Sequence, residues 1–170
     1  MFRIGDTIVH LRHGAGVIKE TRVIEREGQK RNYVCIELTA NQGTLMIQEE
    51  KFETGEVRPA VTDNHFIANI VQEPPQALLD DHRARQNQIK EMMKSHDPRQ
   101  LAEALRDLCW REATDKLTFT DTQMRDKLLR QLSQEMSLHP QTTYDEARNW
   151  LLDTLNEAIQ EHLAAHQAVV

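Results

Sequence analysis

The chain changes its hydrophobic period once, near Pro59. From Thr7 to about Gln48 apolar and polar residues alternate in short runs, the two-residue period of half-buried strands. Thr7-Ile8-Val9-His10-Leu11 ends at Arg12-His13-Gly14-Ala15-Gly16, and Val17-Ile18 opens a longer run through Thr21, Val23 and Ile24. Glu27-Gly28-Gln29-Lys30 reads as a hairpin turn, followed by a strand over 31–38 that sets Val34, Ile36 and Leu38 on one face. Asn41-Gln42-Gly43 is a further turn, and Thr44-Leu45-Met46-Ile47-Gln48 a last strand. Four or five short antiparallel strands in so few residues predict a small barrel of the SH3 or Tudor type.

Beyond Pro59 the period is helical. Thr62 is placed to cap a helix over 64–71, which Pro74-Pro75 ends, and a second helix is expected over 76–93. Asp97-Pro98 begins a third, with Gln100 at the capping-box position and Leu101, Ala104, Leu105 and Leu108 on one stripe. Thr120 with Gln123 opens a fourth helix, which Pro140 closes. Thr143 with Glu146 opens a fifth, carrying Leu151, Leu152, Leu155, Ile159 and Leu163. Each helix has one apolar stripe, so together they predict a bundle. The expected class is α+β in two domains: a barrel over 1–60, a short helix and linker over 61–75, a helical bundle over 76–163 and a frayed tail over 164–170.

Charge changes what these halves can do. The net charge of −6 falls wholly beyond residue 62, because residues 1–62 carry equal numbers of acidic and basic side chains. An acidic bundle is an unusual stand-alone binder of phosphate. No stretch is long and apolar enough for a membrane span, and the N-terminus reads as folded sequence rather than a leader, so a cytoplasmic protein is expected. Cys35 and Cys109 fit no metal or disulfide spacing. His10-x-x-His13 has no third ligand at a fitting distance along the chain. No nucleophile elbow, phosphate loop or dinucleotide fingerprint is present, so neither an enzyme nor a cofactor is expected.

The segments Phe2-Arg3-Ile4-Gly5-Asp6-Thr7-Ile8-Val9 and His13-Gly14-Ala15-Gly16-Val17-Ile18 resemble the opening of the CarD family of bacterial transcription regulators. Tyr33, Val57-Arg58-Pro59, Leu101-Ala102-Glu103 and Leu105-Arg106-Asp107-Leu108 extend the resemblance to about residue 163. The resemblance implies that the barrel adds an exposed strand to the β subunit of RNA polymerase, and that the helical domain touches promoter DNA and stabilises the open complex. Carried over, the docking residues are Thr44, Leu45, Met46, Ile47 and Gln48, with Ile24 at a further docking position. Met46 and Gln48 replace a basic residue and a proline common in the family, and His82 stands where well-described members place a DNA-wedging Trp. His82 also falls on the helical spacing Leu78, His82, Gln86, Ile89, Met93, so it equally reads as the flank of a packed face. Arg83, Arg85, Lys90 and Arg111 are the basic candidates for DNA contact, beside Asp80-Asp81, while Thr122 and Gln123 replace common family cations. Weak, polymerase-assisted DNA binding is therefore expected. The other reading is an adaptor whose acidic bundle binds a second protein. Trp110, opposite Leu101 on its helix, is a packing residue or a partner anchor. Oligomeric state is open.

Overall fold

The computed structural model describes residues 2–168, apart from the side chain of Glu53. Five strands come first: β1 Thr7–His10, β2 Gly14–Arg26, β3 Gln29–Leu38, β4 Thr44–Gln48 and β5 Val57–Pro59, with a 3-10 turn over Glu49–Thr54. Five helices follow: α1 Asn64–Gln72, α2 His82–Lys94, α3 Pro98–Thr114, α4 Phe119–Met136 and α5 Tyr144–Gln167. The chain divides into two compact units. One holds the residues up to Thr62 together with Gln134–Thr142; the other holds Asp63–Ser133 and the remainder from Thr143.

The first unit is built on one antiparallel sheet, in the order β4-β3-β2-β1-β5. It does not close. The barrel expected from the strand rhythm is an open sheet, because among the described residues β4 pairs only with β3 and the three-residue β5 only with β1. Val57-Arg58-Pro59, which carried no strand period of its own, supplies that fifth strand. Glu27 and Gly28, both at positive φ, make the two-residue turn between β2 and β3, whose twist suits a hairpin. Ile8, Ile18, Val34, Ile36, Ile47 and Val57 form the core, with Phe2, Leu38, Leu45 and Phe52 packed against it. Gly16 is required by that packing: a Cβ there would lie 2.6 Å from Ile36 Cγ2 and 2.7 Å from the Glu37 carbonyl oxygen. Where segment 134–142 joins the unit, Glu135 accepts from both Arg58 terminal nitrogens at 2.6 and 2.8 Å and from the Val61 N–H at 2.7 Å.

In the helical unit α1 packs on α3 and α5, and α3 also contacts α2 and α5. Helix starts show how local chemistry sets boundaries. Asp63, not Thr62, caps α1 by accepting from the His65 N–H. Asp97 caps α3, and Thr143 with Glu146 forms the capping box expected for α5. Two expectations are corrected. α2 begins at His82 rather than residue 76, because Asp81 accepts from the Ala84 N–H and fixes the start there. α4 is capped two residues earlier than Thr120: Thr118 Oγ1 accepts from the Asp121 N–H, and Asp121 Oδ2 accepts from the Thr118 N–H. α5 is helical through Gln167, past the Ala164 at which fraying is expected; residues 169–170 lie outside the described range. No helix among the described residues is long and apolar enough to cross a membrane.

His10 ties the β1–β2 turn to its own ring. It is buried, and its Nδ1 accepts from the N–H groups of Arg12 and His13 at 3.1 and 3.4 Å. Burial, and then the neighbouring His13, lower its pKa from the ordinary 6.5, against the opposing pull of Glu56. The folded state therefore prefers the neutral ring. Its contribution is complete above pH 6.5 and is lost as pH falls from there toward the lowered value. Chemical unfolding of the sheet unit, followed between pH 7.5 and 5, is expected to show falling stability on acidification. In His10→Asn, whose amide oxygen accepts without titrating, the slope over that window is expected to shrink.

Candidate docking edge and nucleic-acid interface

The unpaired side of β4 is the first candidate site. Tyr33↔Gln48, Val34↔Ile47, Cys35↔Met46, Ile36↔Leu45 and Glu37↔Thr44 are its pairings with β3. No described strand pairs with its other side. Ile47 is buried in the core and Leu45 packs against it, while Met46 is 39% exposed. Gln48 Nε2 donates to the Tyr33 hydroxyl at 3.2 Å, which fixes the end of the edge. Beside the edge lies a recess of about 280 Å³ bounded by Tyr33, Met46 and Gln48 together with Arg12, His13 and Lys51. Thr44 to Gln48 thus form one continuous strip. Ile24 does not join it: it pairs with Arg31 on the far side of β3, four residues along from Cys35, about 13 Å at the strand rise.

The second candidate lies on the helical unit, and here the four basic residues part company. Arg83 and Lys90 are exposed, seven residues apart and so on one stripe of α2, with Asn87 between them and Lys94 following. Arg85 is 2% exposed and spends its guanidinium inside. Its Nη1 donates to the carbonyls of Leu79 and Asp80, each at 2.8 Å, and its Nη2 to Asp121 Oδ2 at 2.8 Å. Nε adds a bond to the same oxygen at 3.3 Å, and the buried guanidinium is not presented to a phosphate, so its assignment as a DNA contact is corrected to a structural one. Burial alone would push the Asp121 carboxyl up, but hydrogen bonds from Arg85 and Thr118 outweigh it and hold the group below its usual range. Arg111 is mostly covered and paired with Asp80 at 3.3 Å and Asp115 at 2.7 Å. It does not share the α2 stripe. His82 is exposed in the first turn of α2, seven residues before the buried Ile89 and so on its stripe, but at an end of the helix that the packing leaves uncovered.

The Leu-Arg-Asp-Leu segment of α3 is likewise interior. Arg106 bonds Asp107 at 2.8 Å and the Ile70 carbonyl at 3.2 Å, and Asp107 accepts from the Gln76 N–H at 3.0 Å. It anchors the end of α1 and the loop after it. Trp110 stacks on His166, centroids 5.8 Å apart, and meets His162 edge-on at 6.3 Å, so it packs α3 against α5. His10 and His13 face each other at 4.7 Å, and no metal-competent cluster occurs among the described residues.

Two surface residues escape a search for charge and periodic core. Phe119, at the first turn of α4, is 79% exposed, and Leu79, before α2, is 51% exposed. A signal for Phe119 exists: it stands about two and a half helical turns before the buried Leu128, and so on the opposite face of α4. Leu79 carries none, since its exposure follows from where α2 begins.

Residues 2–61 match the CarD-like/TRCF RID domain, and residues 67–152 match the CarD C-terminal domain. The chain belongs to the CarD family. It is 30% identical over 141 residues to YdeB of Bacillus subtilis (strain 168), described as an inferred transcription factor, covering 81% of this chain and 92% of that one. In this CarD-family chain the open β4 edge lies inside the first matched region and the α2 stripe inside the second.

Removing the buried guanidinium strands the Asp121 carboxylate and two carbonyls. Arg85→Ala is therefore expected to destabilise the helical unit by about 3–5 kcal/mol. Arg83→Ala is expected to stay within about 0.5 kcal/mol of the parent. Urea unfolding followed by helical circular dichroism checks both, and a silent Arg85→Ala would return that residue to the surface.

Proposed function

We propose that this protein regulates transcription by docking on the β subunit of RNA polymerase through β4, and that it modulates promoter open complexes once docked. The observation that carries the reading is the unpaired β4 edge within the region that matches the CarD-like/TRCF RID domain. An open edge of this kind offers main-chain donors and acceptors to an incoming strand, and pockets for alternate side chains supply selectivity. Side-chain changes such as Met46 for a basic residue leave that main-chain interaction intact.

DNA contact is the secondary part of the proposal. Arg83, Lys90 and Lys94 give α2 a cationic stripe suited to phosphates, with His82 at its start. With Arg85 and Arg111 committed to internal pairs, and with acidic residues in excess over this part of the chain, binding without polymerase is weak. Those same two pairs favour a second reading, an adaptor whose helical unit contacts another protein.

Met46→Glu places a charge on the edge without entering the core. It is expected to weaken polymerase binding at least about fivefold, near 1 kcal/mol. Arg83→Ala with Lys90→Ala is expected to leave polymerase binding unchanged and to lower the salt slope of promoter binding by roughly two. Polymerase binding that ignores Met46→Glu contradicts the docking assignment. A salt slope that ignores the α2 pair favours the adaptor.

A further inference from the structure

α5 carries more apolar surface than its neighbours cover. Ala147, Leu151, Leu155 and Ala158 are buried along one side of the helix. Leu152 and Ile159, seven residues apart and so on one line, are only half-buried. They face a cavity of about 340 Å³ between α3, α4 and α5, wholly within the helical unit. Leu105, Leu129 and Leu155, one from each helix and all buried, also line it. α3 and α5 pack closely on each other, while α4 stands further off from both. Leaving leucine and isoleucine side chains on an open cavity forfeits burial that a closer α4 would supply. The volume lies at the small end of the range of small-molecule sites, roughly 300–1,000 Å³.

The charges around the cavity indicate what fits it. Arg125 of α4 is neutralised by Glu112 of α3 and by Asp126, the latter at 2.8 Å. Arg148 is different. It stands one turn before Leu152 on α5, half-buried at the end of the apolar line. Its guanidinium makes no ion pair and no side-chain hydrogen bond among the described residues. Burial pushes the Cys109 thiol up to about 12, so this residue lines the cavity as an uncharged group. Asn156 and Gln160 add only neutral polar groups at the mouth. The lining therefore offers one uncommitted cation beside a leucine-rich floor. Its complement is an apolar body with a single anionic head, and a guanidinium takes a carboxylate through two parallel hydrogen bonds.

We propose that this cavity binds a small apolar monocarboxylate of the medium-chain fatty-acid kind, its head held by Arg148 and its chain lying on Leu105, Leu152 and Ile159. The proposal gives the helical unit a ligand site of its own. It depends neither on polymerase docking nor on DNA contact.

The test titrates the full chain, with methyl groups isotopically labelled, with octanoate, octanol and octylammonium below their micelle-forming concentrations. The three probes share one chain and differ in the head group. Burial of the chain alone ranks octanol first, whereas Arg148 ranks octanoate first. Octanoate is expected to shift the methyl signals of Leu105, Leu152, Leu155 and Ile159 saturably, and to bind at least about tenfold more tightly than either other probe. Arg148→Gln is expected to remove that advantage while leaving octanol binding unchanged. Cys109→Phe and, independently, Leu152→Trp fill the space from α3 and from α5. Each is expected to keep the parent's circular dichroism and to abolish the octanoate shifts. No octanoate binding, octanol binding as tightly as octanoate, or shifts confined to methyl groups elsewhere overturns the proposal. So does an octanoate affinity that ignores Arg148→Gln, or that survives in either filled variant with the parent's fold.

Discussion

The ion pair between Arg85 and Asp121 fixes the helical unit. Neither group reaches solvent, and a buried charge is tolerable only when its partner and hydrogen bonds replace the lost water. That requirement dictates geometry in three places at once. The carbonyls of Leu79 and Asp80 must point inward, which keeps 76–81 from continuing α2 toward the N-terminus. Asp121 must stand in the first turn of α4, which moves that helix start to follow Thr118. The Leu79 and Phe119 side chains are left facing water on the outside of the same junction. The outline of that surface follows from an interior electrostatic constraint.

In the sheet unit the governing fact is an asymmetry of edges. β5 is three residues long and ends in Pro59, which has no N–H to give, while β4 offers five residues without a proline. Of these two outermost strands, β4 is the one with the length and donors to accept another strand. The core holds β4 in register through Ile47 and Leu45, and the turn before it is set by Asn41 Oδ1 accepting from the Gly43 N–H at 2.9 Å. The edge is therefore presented in one register, as docking by strand addition requires.

Much of this was legible in the chain because it follows from local periodicity. Alternation located the strands, glycines the turns and Thr143 with Glu146 the start of the last helix. Sheet closure was not legible, because it depends on whether edge strands meet, and nothing local to 44–48 or 57–59 says that they do not. The basic residues were harder still. Arg83 and Arg85 sit two apart with similar neighbours, yet one faces solvent and the other the interior. The difference is made by Asp121, distant in sequence, whose partner no spacing rule reveals. The change of period gave the order of the two units and family resemblance the proposed docking strand, whereas the fate of each cation had to be read from burial and hydrogen bonds.

The central claim is that β4 is the polymerase-docking edge. Hydrogen–deuterium exchange of the intact protein, with and without polymerase holoenzyme, tests it most directly, since strand addition closes solvent-exposed amides on one side of one strand. The account predicts new protection confined to a peptide spanning Thr44–Gln48, with β5 at Val57–Pro59 unchanged. Binding that protects β5, or that leaves β4 exchanging at its unbound rate, would contradict it.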